Sequence, residues 1–231
     1  MNESLLATGQ ISSNITDKVL EVPVHYDVIS PLKDLKTRAW EEAGIDLRLA
    51  SGFRSFERQL YIWNQKARGE RPVYNQFGEQ IQHSSVPRDV LMYAILHWSA
   101  LPGASRHHWG TDFDVFDAAA IEEGYQLQLS PEEYAEGGPF KKLNHWLAGY
   151  FSHSRCGFVR PYCPSPGGVA EEPWHISYLP VASVYESTIT VDVLSDLISR
   201  TDIELKTEIL ENMQTIFNHF FLNQPRNASH I

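Results

Sequence analysis

Ser105-Arg-His-His-Trp-Gly-Thr-Asp-Phe-Asp114 begins as a turn and ends as a strand. Gly110 permits the turn, after which Phe113 and Val115 alternate with Asp112 and Asp114 at a period of two. A His and an Asp on either side of such a turn, with the Asp on a rigid strand, suit a metal. Zinc accepts imidazole nitrogen and carboxylate oxygen at about 2.0–2.2 Å, and catalytic sites commonly use three protein ligands with one position left for water. The register stays open at this level, because His108 adjoins His107 and Asp112 lies two residues from Asp114. Asp112 could instead be an acceptor that orients a ligand.

Outward from this stretch, helices and strands mix without strict alternation, which favours an α+β fold. Ser30-Pro31 reads as an N-cap with proline at the first helical position, opening a helix that runs to about Gly44. Asp46 to Phe53 then alternates weakly, as a half-buried strand does. Ser55 caps a second helix carrying Phe56, Leu60, Trp63 and Ala67, which places Arg54 at the junction of strand and helix. Residues 70–87 are polar and rich in Gln, Gly, Pro and Ser, a long surface loop, and Arg88 to Ser99 forms a third helix. Ser130-Pro-Glu-Glu133 is a capping box before a helix over Phe140 to Phe151. Gly157 to Tyr162 and Trp174 to Leu179 are the last two strands, and from Val191 onward apolar residues recur at helical spacing. This divides the chain into an N-terminal segment 1–29, a catalytic domain 30–180 and a C-terminal helical extension 181–231 packed on the domain.

Two further segments carry groups a hydrolytic metal site needs. Ser51-Gly-Phe-Arg-Ser-Phe-Glu-Arg-Gln59 brings a cation, and Glu171-Glu-Pro-Trp-His175 brings a second imidazole three residues after a carboxylate. A base must reach a metal-bound water without occupying the metal, and a Glu just upstream of a ligand meets that need.

Taken together, Ser105-x-His107-x-x-Gly110-x-x-x-Asp114, Glu172-x-Trp174-His175 and Ser51-Gly-Phe-Arg54-Ser with Gln59 downstream resemble the metallo D-alanyl-D-alanine carboxypeptidase family of the VanY type. That family includes related dipeptidases and L,D-carboxypeptidases, and the resemblance covers Leu32 to Leu179. It implies a small, mainly antiparallel sheet with surrounding helices, of the Hedgehog/D,D-peptidase kind. It implies Zn2+ held by His107, Asp114 and His175, with Glu172 as general base and Arg54 stabilising the substrate carbonyl as it becomes an oxyanion. Ser105 and Gln59 match positions associated with the substrate's terminal carboxylate. Trp174 shapes the pocket wall or serves as a core aromatic, and Phe53 stands where the family often has tyrosine. The implied reaction is hydrolysis of a terminal D-Ala-D-Ala bond in peptidoglycan-type peptides. An L,D-carboxypeptidase, a peptidoglycan endopeptidase and a zinc-containing binding module are the alternatives.

The bulk of the chain agrees. Its 231 residues are 42% hydrophobic, enough for a generous core. A formal net charge of -10 and the lack of a Lys/Arg cluster argue against nucleic acid as a partner. No segment reads as a membrane span, and the opening MNESLLATGQISSN does not resemble a secretory signal, so the expectation is a cytoplasmic protein, or a periplasmic one if the chain is processed. Oligomeric state is not legible. Cys156 and Cys163 read as reduced thiols, with a short local bridge as the alternative.

Overall fold

The computed structural model describes residues 2–153, 156–162 and 168–222. Cys163, and with it any pairing to Cys156, lies outside the described residues, as does the end of the C-terminal extension, 223–231. The chain opens with helix α1 (Asn2–Ala7) and a short antiparallel pair, β1 (Ile15–Thr16) and β2 (Val24–His25). Then come α2 (Ile29–Ala43), β3 (Leu47–Ser51), α3 (Phe56–Ala67), α4 (Arg88–Trp98) and β4 (Asp112–Asp117). They are followed by α5 (Pro131–Tyr134), α6 (Lys141–His153), β5 (Phe158–Val159) and β6 (His175–Tyr178). Helices α7 (Leu179–Thr188), α8 (Val191–Arg200), α9 (Lys206–Glu211) and α10 (Met213–Ile216) and a π-helical turn over Phe217–Leu222 complete the described chain. No described helix is long and apolar enough to cross a membrane.

The fold is α+β, built on a four-stranded antiparallel sheet in the order β3-β4-β6-β5. On one face Leu47, Leu49, Phe113, Val115 and Ile176 pack against Leu32 and Leu35 of α2 and Leu143 and Leu147 of α6. The opposite face of β4 and β6 carries Asp112, Asp114, His175 and Ser177, all buried. A second core lies among the helices. There Trp63 of α3 and Met92 and Ile95 of α4 meet Trp109 and the apolar faces of α8, α9 and α10.

Local signals hold at several boundaries. Ser55 caps α3, its hydroxyl accepting the Arg58 N–H at 3.2 Å. Gly44 closes α2 in the left-handed region at φ 61°. At Ser130 the Glu133 carboxylate accepts the Ser130 N–H at 3.2 Å, but only the single turn of α5 follows.

The start of α2 differs from the Ser30 N-cap expected. A 3-10 turn over Tyr26–Val28 feeds straight into the helix at Ile29, so Ser30 and Pro31 lie inside the first turn. Proline is tolerated there because its missing N–H would have no intrahelical partner. The strand expected over Gly157 to Tyr162 shortens to two residues of an edge strand. Residues 1–29 hold the unforeseen α1 and the β1–β2 pair, elements too short for periodicity to mark.

Gly110 ties this N-terminal pair to the sheet. It sits at φ 65°, its carbonyl accepts the His25 N–H at 2.9 Å, and a Cβ there would lie 2.5 Å from Ile15 Cδ1 and 2.9 Å from the His25 nitrogen. The backbone neighbour cannot step aside. Gly110→Ala is therefore expected to destabilise the fold by about 1–3 kcal/mol. Chemical denaturation checks this, and a variant as stable as the parent would mean that the β1–β2 pair adjusts freely.

Candidate active site

The register of the sheet assembles the site. Asp114 pairs with Ser51 on one side and with His175 on the other, so three strands contribute to one spot. His107 arrives from the 3-10 turn over Arg106–Trp109 that precedes β4. Its Nδ1 donates to the Gly52 carbonyl at 2.9 Å, which fixes the tautomer and leaves Nε2 as a free lone pair, 3.5 Å from Asp114 Oδ2. His175 turns the other way. Its Nε2 lies 3.1 Å from Asp112 Oδ1, and its Nδ1 points at Asp114 Oδ1, 3.2 Å away.

Donor atoms of His107, Asp114 and His175 all lie within 4.8 Å of one another. Asp114 Oδ1 and His175 Nδ1 are both buried with no hydrogen-bond partner. Buried polar atoms are rarely left so, and here they belong to two facing groups of a His, Asp, His set. The donor set therefore fits a divalent cation of the zinc type.

The two questions of register resolve by geometry. His108 Nε2 accepts the Gly103 N–H at 3.0 Å and its Nδ1 donates to the Arg54 carbonyl at 2.7 Å, so neither ring nitrogen is free. Burial pushes this imidazole down to about 3, and it stays neutral. Asp112 stands behind His175, where it takes the Arg106 guanidinium at 2.7 Å, the Thr111 hydroxyl at 2.7 Å and the Ser177 hydroxyl at 3.0 Å. Burial raises the pKa of Asp112, but Arg106 and His175 outweigh it and hold the carboxyl down to about 2. Burial acts on Asp114 in the same sense, and His107, His175 and Ser51 outweigh it, so Asp114 too is ionised.

A cavity of about 190 Å³ opens over this cluster, lined among others by Arg54, Ser105, Tyr162, Glu172 and Trp174. Glu172 Oε2 lies 3.3 Å from His175 Nδ1, and burial raises the Glu172 pKa against the opposing pull of His175. The neighbouring Glu171 is exposed and does not line the cavity. Arg54 is held from two sides, its N–H donating to the His107 carbonyl at 3.0 Å and its guanidinium to Gln59 Oε1 at 2.9 Å. Trp174 serves as both wall and core, since it lines the cavity and packs 5.7 Å from the Tyr134 ring.

Gln59, which the motif associates with the substrate's terminal carboxylate, is not among the residues lining the cavity. Its Nε2 donates to the Ala100 carbonyl at 2.7 Å and the Ser99 hydroxyl at 3.2 Å while its oxygen receives Arg54, so its amide is fully engaged behind the cavity wall. Ser105 does reach the cavity. Sequence patterns missed Tyr162 and Trp98, which also line it, because neither lies within a recognisable spacing.

The VanY family model, described as D-alanyl-D-alanine carboxypeptidase, matches residues 22–181. An uncharacterized protein of Haemophilus influenzae (strain ATCC 51907 / DSM 11121 / KW20 / Rd) is 35% identical over 124 residues, covering 53% of this chain and 93% of that protein. Among solved structures, VanYB in complex with D-Alanine-D-Alanine superposes with a TM-score of 0.52 at 20% identity, over 83% of this chain and 92% of that one. A VanY D,D-pentapeptidase variant in complex with Zn(II) gives 0.50 at 22% identity, over 78% and 85%. At these identities the two structures speak for the fold.

Because Asp112 orients His175, Asp112→Asn is expected to weaken zinc binding by about 10–100-fold. Competition against a chelator measures it. Unchanged affinity would mean that the imidazole is held in place without that carboxylate.

Proposed function

As this chain belongs to the VanY family of D-alanyl-D-alanine carboxypeptidases, we propose that it is a zinc peptidase releasing the terminal D-residue of peptidoglycan-type peptides. The observation that carries the reading is Glu172: a half-buried carboxylate 3.3 Å from the imidazole of a His, Asp, His set with two unpartnered buried atoms, lining with Arg54 a small cavity. The binding of D-Alanine-D-Alanine by one structural relative and of Zn(II) by another supports the same substrate class and metal.

In this reading His107 Nε2, an Asp114 oxygen and His175 Nδ1 would hold the ion. Zinc bound there would supply Lewis acidity, to activate a water and polarise a carbonyl. Glu172 takes the proton from the attacking water, and its raised pKa suits it to pass that proton to the departing amine. Arg54 donates to the carbonyl oxygen as negative charge builds, and its anchoring by Gln59 holds the guanidinium in place before reaction. Burial lowers the Arg54 pKa against the pull of Asp114 and Glu172, but a guanidinium stays charged. Water adds to the carbonyl carbon, the C–N bond breaks, and a shortened peptide and a free D-amino acid leave.

Two outcomes test this. Glu172→Gln should keep zinc and fold while kcat falls by about 10²–10⁴-fold with little change in KM. A zinc-loaded variant with near-normal kcat would remove Glu172 from the mechanism. In addition, a peptide ending in free D-alanine should be cut at least about tenfold faster than its C-terminal amide, because Ser105 offers a cavity-lining donor suited to a carboxylate. Equal turnover of both peptides would shift the assignment to an endopeptidase.

A further inference from the structure

The polar stretch over residues 70–87 has no part in the proposed mechanism, yet its centre is a built structure. The Val73 carbonyl accepts the Ile81 N–H at 2.8 Å and the Glu79 carbonyl accepts the Asn75 N–H at 2.9 Å, which makes a short hairpin of residues 73–81. The Asn75 side-chain oxygen accepts the N–H groups of Phe77 and Glu79 at 2.9 and 3.0 Å, and Gly78 turns the chain at φ 77°. Phe77 is thereby held at the tip, 77% exposed. An aromatic ring fixed in water adds little to the core, but a ligand meeting it pays little to order it.

A groove of about 500 Å³, a size that suits a small ligand, opens beside that ring between the hairpin, α4 and the π-helical turn. Tyr93 of α4 and Phe220 of the turn line it, stacked with their ring centroids 6.0 Å apart. Gln76 and His97 add polar groups. His97 Nδ1 donates to the Gly168 carbonyl at 2.7 Å, which leaves its Nε2 as an acceptor. Among the described residues no Asp, Glu, Lys or Arg lines the groove, although these make up 21% of the chain. Such a lining suits a neutral ligand with apolar faces and a few hydrogen-bonding groups.

The groove adjoins the catalytic cavity. His97 and Trp98 are consecutive, and the first lines the groove while the second lines the cavity; Gly168 and Val169 divide in the same way. Trp98 Nε1 donates to the Asn75 carbonyl at 3.1 Å, which ties the hairpin to the cavity wall. One molecule can therefore reach both. Thr215 and Phe220 come from beyond residues 22–181, so the groove is completed by helices outside the stretch matched to the family.

In a peptidoglycan-type substrate the peptide carries free carboxylates, and the neutral part is the N-acetylated sugar to which the peptide is joined by an amide. The C–H face of a sugar ring packs on an aromatic ring, while its hydroxyls and acetamide hydrogen-bond to amide and imidazole groups. We propose that this groove is a saccharide subsite that holds an N-acetylhexosamine unit of the substrate, with Phe77 as the ring it packs on. For the identity of that substrate the assignment rests on the peptidase reading above.

The zinc-loaded full chain is titrated with N,N′-diacetylchitobiose, a neutral pair of N-acetylglucosamine units, and followed by calorimetry. Saturable binding is expected, which Phe77→Ala weakens about tenfold and Phe77→Trp retains, with the thermal midpoint unchanged in both variants. In kinetics, a sugar-bearing muropeptide should be cut with a higher kcat/KM than its free stem peptide, and Phe77→Ala should narrow that ratio. The proposal is overturned if the parent does not bind the disaccharide, if Phe77→Ala binds it as well as the parent, or if an active parent cuts both substrates alike. Displacement of the disaccharide by the sugar-free peptide would assign the groove to the peptide and overturn the saccharide assignment. Disaccharide binding by a protein that cleaves neither substrate would overturn the peptidase reading alone, a result distinct from an active peptidase that ignores the sugar.

Discussion

Asp114 and His175 stand opposite one another in the pairing of β4 with β6, and the polar face of the sheet is organised about that pair. An ionised carboxylate and two imidazoles are kept there out of water, which is costly unless each group is compensated. The protein compensates most of them from within. Ser51 donates to Asp114, the Gly52 carbonyl takes one nitrogen of His107, and Asp112 takes one nitrogen of His175. Two facing atoms stay unsatisfied, Asp114 Oδ1 and His175 Nδ1. A purely structural core is often more stable with apolar side chains at such positions, so the residual cost marks a place whose donor set fits a cation.

The surroundings hold that pair rigid. Arg106 is itself buried, spans Asp112 and Ser177, lies 3.5 Å from Glu186 of α7 and rests over the Trp109 ring at 4.6 Å. Trp109 in turn stacks on Tyr185 and meets Phe221 edge to face. Residues beyond the stretch matched to the family are thus packed against the elements that aim the ligands. On the other side, His108 clamps the Arg54 carbonyl while Gln59 holds its guanidinium, so the cation is fixed at both ends. Groups held in this way lose little freedom when substrate arrives, which is how a small cavity can be selective.

Much of this was legible in the chain because the relevant signals are local. The Ser55 cap, Gly44 and the alternation through Phe113 and Val115 mark helices and strands through backbone preferences and burial within a few residues. The spacing of His107, Asp114, Glu172 and His175 likewise pointed to metal chemistry, since turn, strand and loop are readable in order. Where preference competes with packing the reading slipped, as at Ser30, which a 3-10 turn upstream absorbs into the helix.

Sequence by itself determined the α+β class and the kinds of groups that gather at the site. Only the tertiary structure decided the direction in which each group faces. His107 and His108 are adjacent, yet one keeps a free nitrogen and the other spends both on Gly103 and Arg54. Asp112 and Asp114 share a strand face, but the first lies behind His175 and the second before it. The Gln59 amide oxygen accepts from Arg54, and Tyr162 enters the cavity with no motif to announce it. The reason is physical: these orientations are set by hydrogen bonds and ring contacts to residues far along the chain, such as Asp112 to His175 across 63 positions, which no local spacing encodes.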